Sequence, residues 1–81
     1  MSVEVQLFAA ARDAAGQSPL KIRLPPQATV AELRSALIST APALKPLADT
    51  LLVAVNNQFA TDDQVVQPGD EVACFPPVSG G

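Results

Sequence analysis

The sequence contains no histidine. That removes the commonest general base and the commonest metal-ligating side chain at neutral pH. A single cysteine, Cys74, excludes an internal disulfide and leaves too few thiolates for a zinc or iron–sulfur cage. Without histidine no serine or cysteine triad can be assembled, and there is no glycine-rich phosphate loop. Basic residues are scarce: five Lys and Arg stand against eight Asp and Glu, for a net charge of -3. They form no cluster between Arg12 and Lys45, and a nucleic-acid or anionic-membrane surface needs a basic patch. Neither partner is expected. The apolar runs are too short to span a bilayer. Met1-Ser-Val-Glu leads straight into a strand pattern, with no basic or apolar leader segment, so a cytoplasmic location is expected. Asp62, Asp63, Asp70 and Glu71 lack the ligand spacing and bidentate glutamate of a calcium loop, and are expected as a solvated, turn-forming face.

What remains is a small apolar chain. With 81 residues, 48% of them hydrophobic, there is room for one domain with a core, and disorder is not expected. Val3, Val5 and Leu7 alternate with Glu4, Gln6 and Phe8, which predicts a first strand with one buried face. Ala9 to Ala15 reads as a helical turn closed by Gly16, with Arg12 and Asp13 as a surface pair. Leu20, Ile22 and Leu24 predict a second strand, ended by Pro25-Pro26.

Thr29 followed by Glu32 is a capping box, and it opens the long helix of the chain. Val30, Leu33 and Leu37 recur at helical spacing, with Ala36 and Ile38 widening the stripe. Glu32, Arg34 and Ser35 fall on the wet side, and Pro42 stops the helix near Thr40. An irregular crossover over 43–50 tucks Leu44 and Leu47 under the sheet. Leu51 to Val55 predicts a third strand, Asn56-Asn57 a tight turn, and Phe59-Ala60 a short return strand. Pro68-Gly69-Asp70 is a turn signal leading into the last strand, Glu71 to Phe75. The order β, β, α, β, short β, β predicts an α+β fold, with a mixed sheet of four to five strands and one main helix across one face. The first and last strands, being the most apolar, are expected side by side at its centre.

On that alternation Cys74 is a buried small hydrophobe, while Phe8, Ala73 and Phe75 point to a face that nothing in the chain covers. An aromatic anchor on an uncovered face marks a partner site. The plainer alternative folds Phe75 back over the sheet or under the 43–50 loop. Beyond Phe75, Pro76 and Pro77 stop the strand and stiffen its exit into an extended segment. Val78, Ser79, Gly80 and Gly81 follow, and no side chain there exceeds valine. An end without Cβ atoms can enter a narrow channel against another protein's backbone, and it leaves the carboxyl carbon of Gly81 sterically open. The alternative is an ordinary frayed terminus.

Val3–Phe8 with Ala11-Arg12-Asp13 and Gly16, Thr29-Val-Ala-Glu-Leu33, Val53-Ala-Val-Asn56, Gly69-Asp-Glu-Val-Ala73 and Pro76-Pro-Val-Ser-Gly-Gly81 together resemble the small subunit of molybdopterin synthase. The resemblance spans the chain and is most specific at its end. It implies a ubiquitin-like β-grasp domain over 1–75 with an extended Gly-Gly tail over 76–81. It also implies a chemistry in which an ATP-dependent, E1-like activating enzyme adenylates Gly81 and a sulfur donor converts it to a thiocarboxylate. The tail then enters the large subunit, where sulfur passes to cyclic pyranopterin monophosphate in molybdenum cofactor biosynthesis. By the same resemblance Gly81 carries the sulfur, Gly80 permits close approach, and Phe75 sits in the subunit interface of a heterotetramer. No permanently bound cofactor is expected, since ATP serves the activating enzyme. One departure is visible: Cys74 stands where a larger apolar residue is expected, with Phe59 the residue expected to fill the volume. Sulfur carriers of other pathways (thiamin, thiolated tRNA, cysteine) and ubiquitin-like modifiers share the Gly-Gly end and stay open. A plain interaction module also stays open. A β-grasp ferredoxin is excluded by the single cysteine.

Overall fold

The computed structural model describes residues 1–77. Strand β1, Ser2–Leu7, buries Val3, Val5 and Leu7 and exposes Ser2, Glu4 and Gln6. Its period-two burial is the pleat acting on an alternating sequence. The short helix α1, Ala9–Ala15, ends at Gly16, whose φ of 79° is the left-handed conformation that closes a helix. Strand β2, Leu20–Arg23, returns antiparallel to β1 and pairs Glu4 with Lys21.

Helix α2, Val30–Thr40, starts at the capping box. The Glu32 amide donates to Thr29 Oγ1 at 3.3 Å, and the Thr29 amide donates to Glu32 Oε1 at 3.1 Å. Two amides that helix geometry would leave unpaired are thereby satisfied. Replacing Thr29 with Ala is expected to cost about 1 kcal/mol of stability, read as a lower urea midpoint with an unchanged slope. The helix buries Val30, Leu33 and Leu37. A 3-10 turn, Pro42–Leu44, follows and drives Leu44 into the core.

Strand β3, Leu52–Val55, begins one residue later than expected. Asn56 and Asn57 take φ of 53° and 68°, the turn that lets β4, Gln58–Phe59, fold back on β3. Gly69, at φ 86°, makes the last turn before β5, Val72–Phe75. The sheet order is β2-β1-β5-β3-β4, with β1 and β5 parallel and the other neighbours antiparallel. β5 is therefore the central strand, beside β1 as expected. Both helices and the 3-10 turn lie over the face that carries Val5, Leu7, Val53, Val72 and Cys74, and that layer is the core. This is the ubiquitin-like β-grasp arrangement, α+β with a five-stranded mixed sheet. Among the described residues no helix is long and apolar enough to cross a membrane.

Two surface expectations are corrected. Arg34 is not on the wet side: its Nε donates to Asp62 Oδ1 at 2.8 Å and its guanidinium donates to the Ala48 carbonyl at 2.7 Å. Its long side chain lies along the helix flank, ties α2 to two loops, and is only 20% exposed. Arg12 and Asp13 form no pair, because consecutive helical residues point about 100° apart; among the described residues the ion pair is Arg34–Asp62.

Candidate functional site

The site is the end of β5 and the open face around it. The Phe8 amide donates to the Cys74 carbonyl at 3.2 Å, which extends the β1–β5 pairing one residue past β1. On the other side Leu52 pairs with Phe75 and Ala54 with Ala73. Ala54 also pairs with Phe59 across the β3–β4 turn. Because side chains alternate across a strand, these pairings set Ala73, Phe75, Leu52, Ala54 and Phe59 on the face opposite Cys74. The Phe8 and Phe75 rings meet edge-on with centroids 6.2 Å apart, and the Phe59 and Phe75 rings do so at 5.6 Å. Both are favourable T-shaped contacts.

Phe75 is thus a half-buried ring held between two exposed ones, and it is not folded under the 43–50 loop. Phe8 is 49% exposed, Leu52 36% and Phe59 71%. Three of the four large hydrophobics left exposed in the described residues therefore gather around Phe75, with the half-buried Ala73 between them. Scattered apolar residues on a surface mean little, but a contiguous group does not. Pro76, half-buried, and Pro77, exposed, leave from this patch. Val78, Ser79, Gly80 and Gly81 lie outside the described residues.

The expectation that Phe59 fills the space beside Cys74 is wrong. Its pairing with Ala54 puts it on the open face, the opposite side of the sheet. The space is instead lined by Arg34, Leu37, Leu44, Ala48, Leu51 and Val53, and is too narrow to admit water. Cys74 itself is fully buried, as expected, and burial pushes its thiol from 9.0 up to about 11, with Arg34 opposing. A thiolate is the reactive form, so this thiol is inert at neutral pH. Native protein is expected to resist alkylation at pH 8 and to react once unfolded. The raised value has a stability consequence with a definite sign. The folded state holds the proton more tightly, so the contribution is full below pH 9 and is lost as pH rises from 9 towards 11. Cys74→Ala should remove that slope from a plot of unfolding free energy against pH.

Among the described residues no group of three or more metal-ligating side chains comes together.

The family model described as the ThiS family matches residues 5–81. The chain belongs to the ThiS family. It is 33% identical to a protein of Arabidopsis thaliana named molybdopterin synthase sulfur carrier subunit, over all of this chain and 84% of that one. It is 34% identical to the corresponding subunit of Chlamydomonas reinhardtii, over the whole of both chains. The crystal structure of small archaeal modifier protein 1 from Haloferax volcanii superposes with a TM-score of 0.88, at 34% identity, covering both chains completely.

Within the ThiS-family chain the structure brings together Phe8, Ala73 and Phe75, the three residues that alternation placed on the open face. It adds Phe59 and Leu52. The signal for them was the Asn56-Asn57 turn: a two-residue turn pairs Val55 with Gln58 and so Ala54 with Phe59, which fixes the face of both strands.

Proposed function

We propose that this chain is a sulfur carrier for molybdopterin synthesis, with Gly81 as the carrying residue. The observation that carries the reading is the family match, which runs through residue 81 and so includes the tail. The relatives named as sulfur carrier subunits align over the whole chain and support it. The carboxylate of Gly81 is a poor electrophile until adenylated. Attack on the α-phosphate of ATP, in an E1-like activating enzyme, forms an acyl adenylate and releases pyrophosphate. Hydrosulfide from a sulfur donor then attacks the acyl carbon, displaces AMP and leaves a thiocarboxylate, an anionic sulfur nucleophile at neutral pH. Gly80 and Gly81 leave room for backbone approach in the partner's channel, and Ser79, Val78, Pro77 and Pro76 thread behind them.

The large subunit of molybdopterin synthase docks on the aromatic face around Phe75, and its active site holds cyclic pyranopterin monophosphate. Lys and Arg for the substrate phosphate come from that subunit, because this chain is acidic overall. Its place of action is the cytoplasm. The test is reconstitution: sulfur-loaded protein with the large subunit should convert cyclic pyranopterin monophosphate to molybdopterin, and carboxylate-form protein should not.

A second reading is favoured by the likeness to small archaeal modifier protein 1, at 34% identity. In that reading Gly81 is joined to lysines of other proteins. Conjugates recovered from cells, carrying a remnant of the Gly80-Gly81 end on lysine, would support it; their absence beside active reconstitution would dismiss it.

A further inference from the structure

Beside the aromatic face lies an open cleft of about 480 Å³, lined by Gln6, Phe8, Arg12, Gly16, Gln17 and Ser18 together with the buried Leu7. Phe8 belongs to both, so the cleft is the rim of the patch from which the tail departs. Arg12 is the ionisable side chain lining it, and no carboxylate does. The other basic residues have other places. Arg34 is held by Asp62, Lys21 and Arg23 stand on β2 across from Glu4 and Ser2, and Lys45 closes the 3-10 turn. Ser18 is also committed: its Oγ accepts from the Leu7 amide at 2.8 Å and donates to Gln6 Oε1 at 3.5 Å. A chain of net charge -3 therefore presents an exposed guanidinium, with no ion-pair partner among the described residues, beside its apolar patch.

We propose that this cleft receives a carboxylate side chain of the protein that grips the aromatic face, which makes Arg12 a specificity-determining residue at its rim. The inference rests on the reading of that face as the large-subunit surface. Guanidinium matches carboxylate in a planar, two-pronged contact, and Phe8 gives the same cleft an apolar wall. Rim charges chiefly set the association rate, the salt dependence and the choice of partner.

The test is calorimetric titration of full-length variants with the large subunit at two salt concentrations. Arg12→Gln is expected to weaken binding roughly tenfold and to lower its salt dependence. Arg12→Glu should weaken it further, and Arg23→Glu, across from Ser2 at the end of β1 away from Phe8, should leave it unchanged. If the Arg12 variants bind as wild type while Phe75→Glu does not, the rim contact is wrong and the aromatic face stands. Wild-type binding by Phe75→Glu removes the face and the inference together. Equal losses from Arg12→Glu and Arg23→Glu would mean a general charge effect and would also overturn it.

Discussion

Adding one residue after Gly81, or deleting Gly81, is expected to reduce sulfur loading to background while leaving the fold and the docking affinity intact. The reason is positional. In the proposed function, activation requires a carboxyl carbon at the end of a fixed length of chain, because the central strand β5 anchors the root of the tail. An added residue moves the carboxylate on by roughly 3.3–3.6 Å, and a displacement of about 1 Å at a reacting centre already costs about a hundredfold in rate. Gly80→Val is expected to act differently, by steric exclusion of a Cβ-bearing residue from the channel. It should bind through the aromatic face but load slowly. Loading is read by mass spectrometry after incubation with ATP, the activating enzyme and a sulfur source. Docking is read separately by titration with the large subunit. Normal loading of the extended chain would refute the role of the Gly81 carboxylate.

The second large effect is at the open face. Phe75→Ala is expected to weaken binding of the large subunit by about 2 kcal/mol, roughly thirtyfold, as for an aromatic anchor at the centre of an interface. Phe75→Glu should weaken it more, since an unpaired carboxylate would be buried there. Phe75 also supports its neighbours, so its loss lowers fold stability too. Phe59→Ala separates the two effects. Phe59 is 71% exposed, so truncating it should change stability by no more than about 0.5 kcal/mol. It should nevertheless weaken docking, because its ring forms the outer wall of the Phe75 contact. Unchanged affinity in both Phe75 and Phe59 variants would move the partner to another surface.

The parts of this protein that sequence made legible are those governed by short-range periodicity. Alternation placed Val3, Val5 and Leu7 on one face of β1 and Val72 and Cys74 on the same face of β5. The Thr29–Glu32 box located the start of α2 because both of its partners lie within one turn. Phe59 escaped because a two-residue strand has no alternation of its own; its face comes only from pairing with Ala54. Arg34 escaped because its partner, Asp62, lies 28 residues away and its length lets a flank position reach back over the core edge. Of the candidate site, the aromatic face was visible in outline from Phe8, Ala73 and Phe75. The tail beyond Pro77 rests on the sequence and on the family match alone. Its composition is informative because the chemistry proposed for it depends on backbone and carboxylate, not on side chains.

The measurement that bears most directly on the account is the intact mass of the wild-type chain after incubation with ATP, the activating enzyme and a sulfur source, followed by fragmentation. The expected result is a gain equal to one oxygen exchanged for sulfur, located on Gly81. An unchanged mass, with the same enzyme mixture loading another carrier, would contradict it.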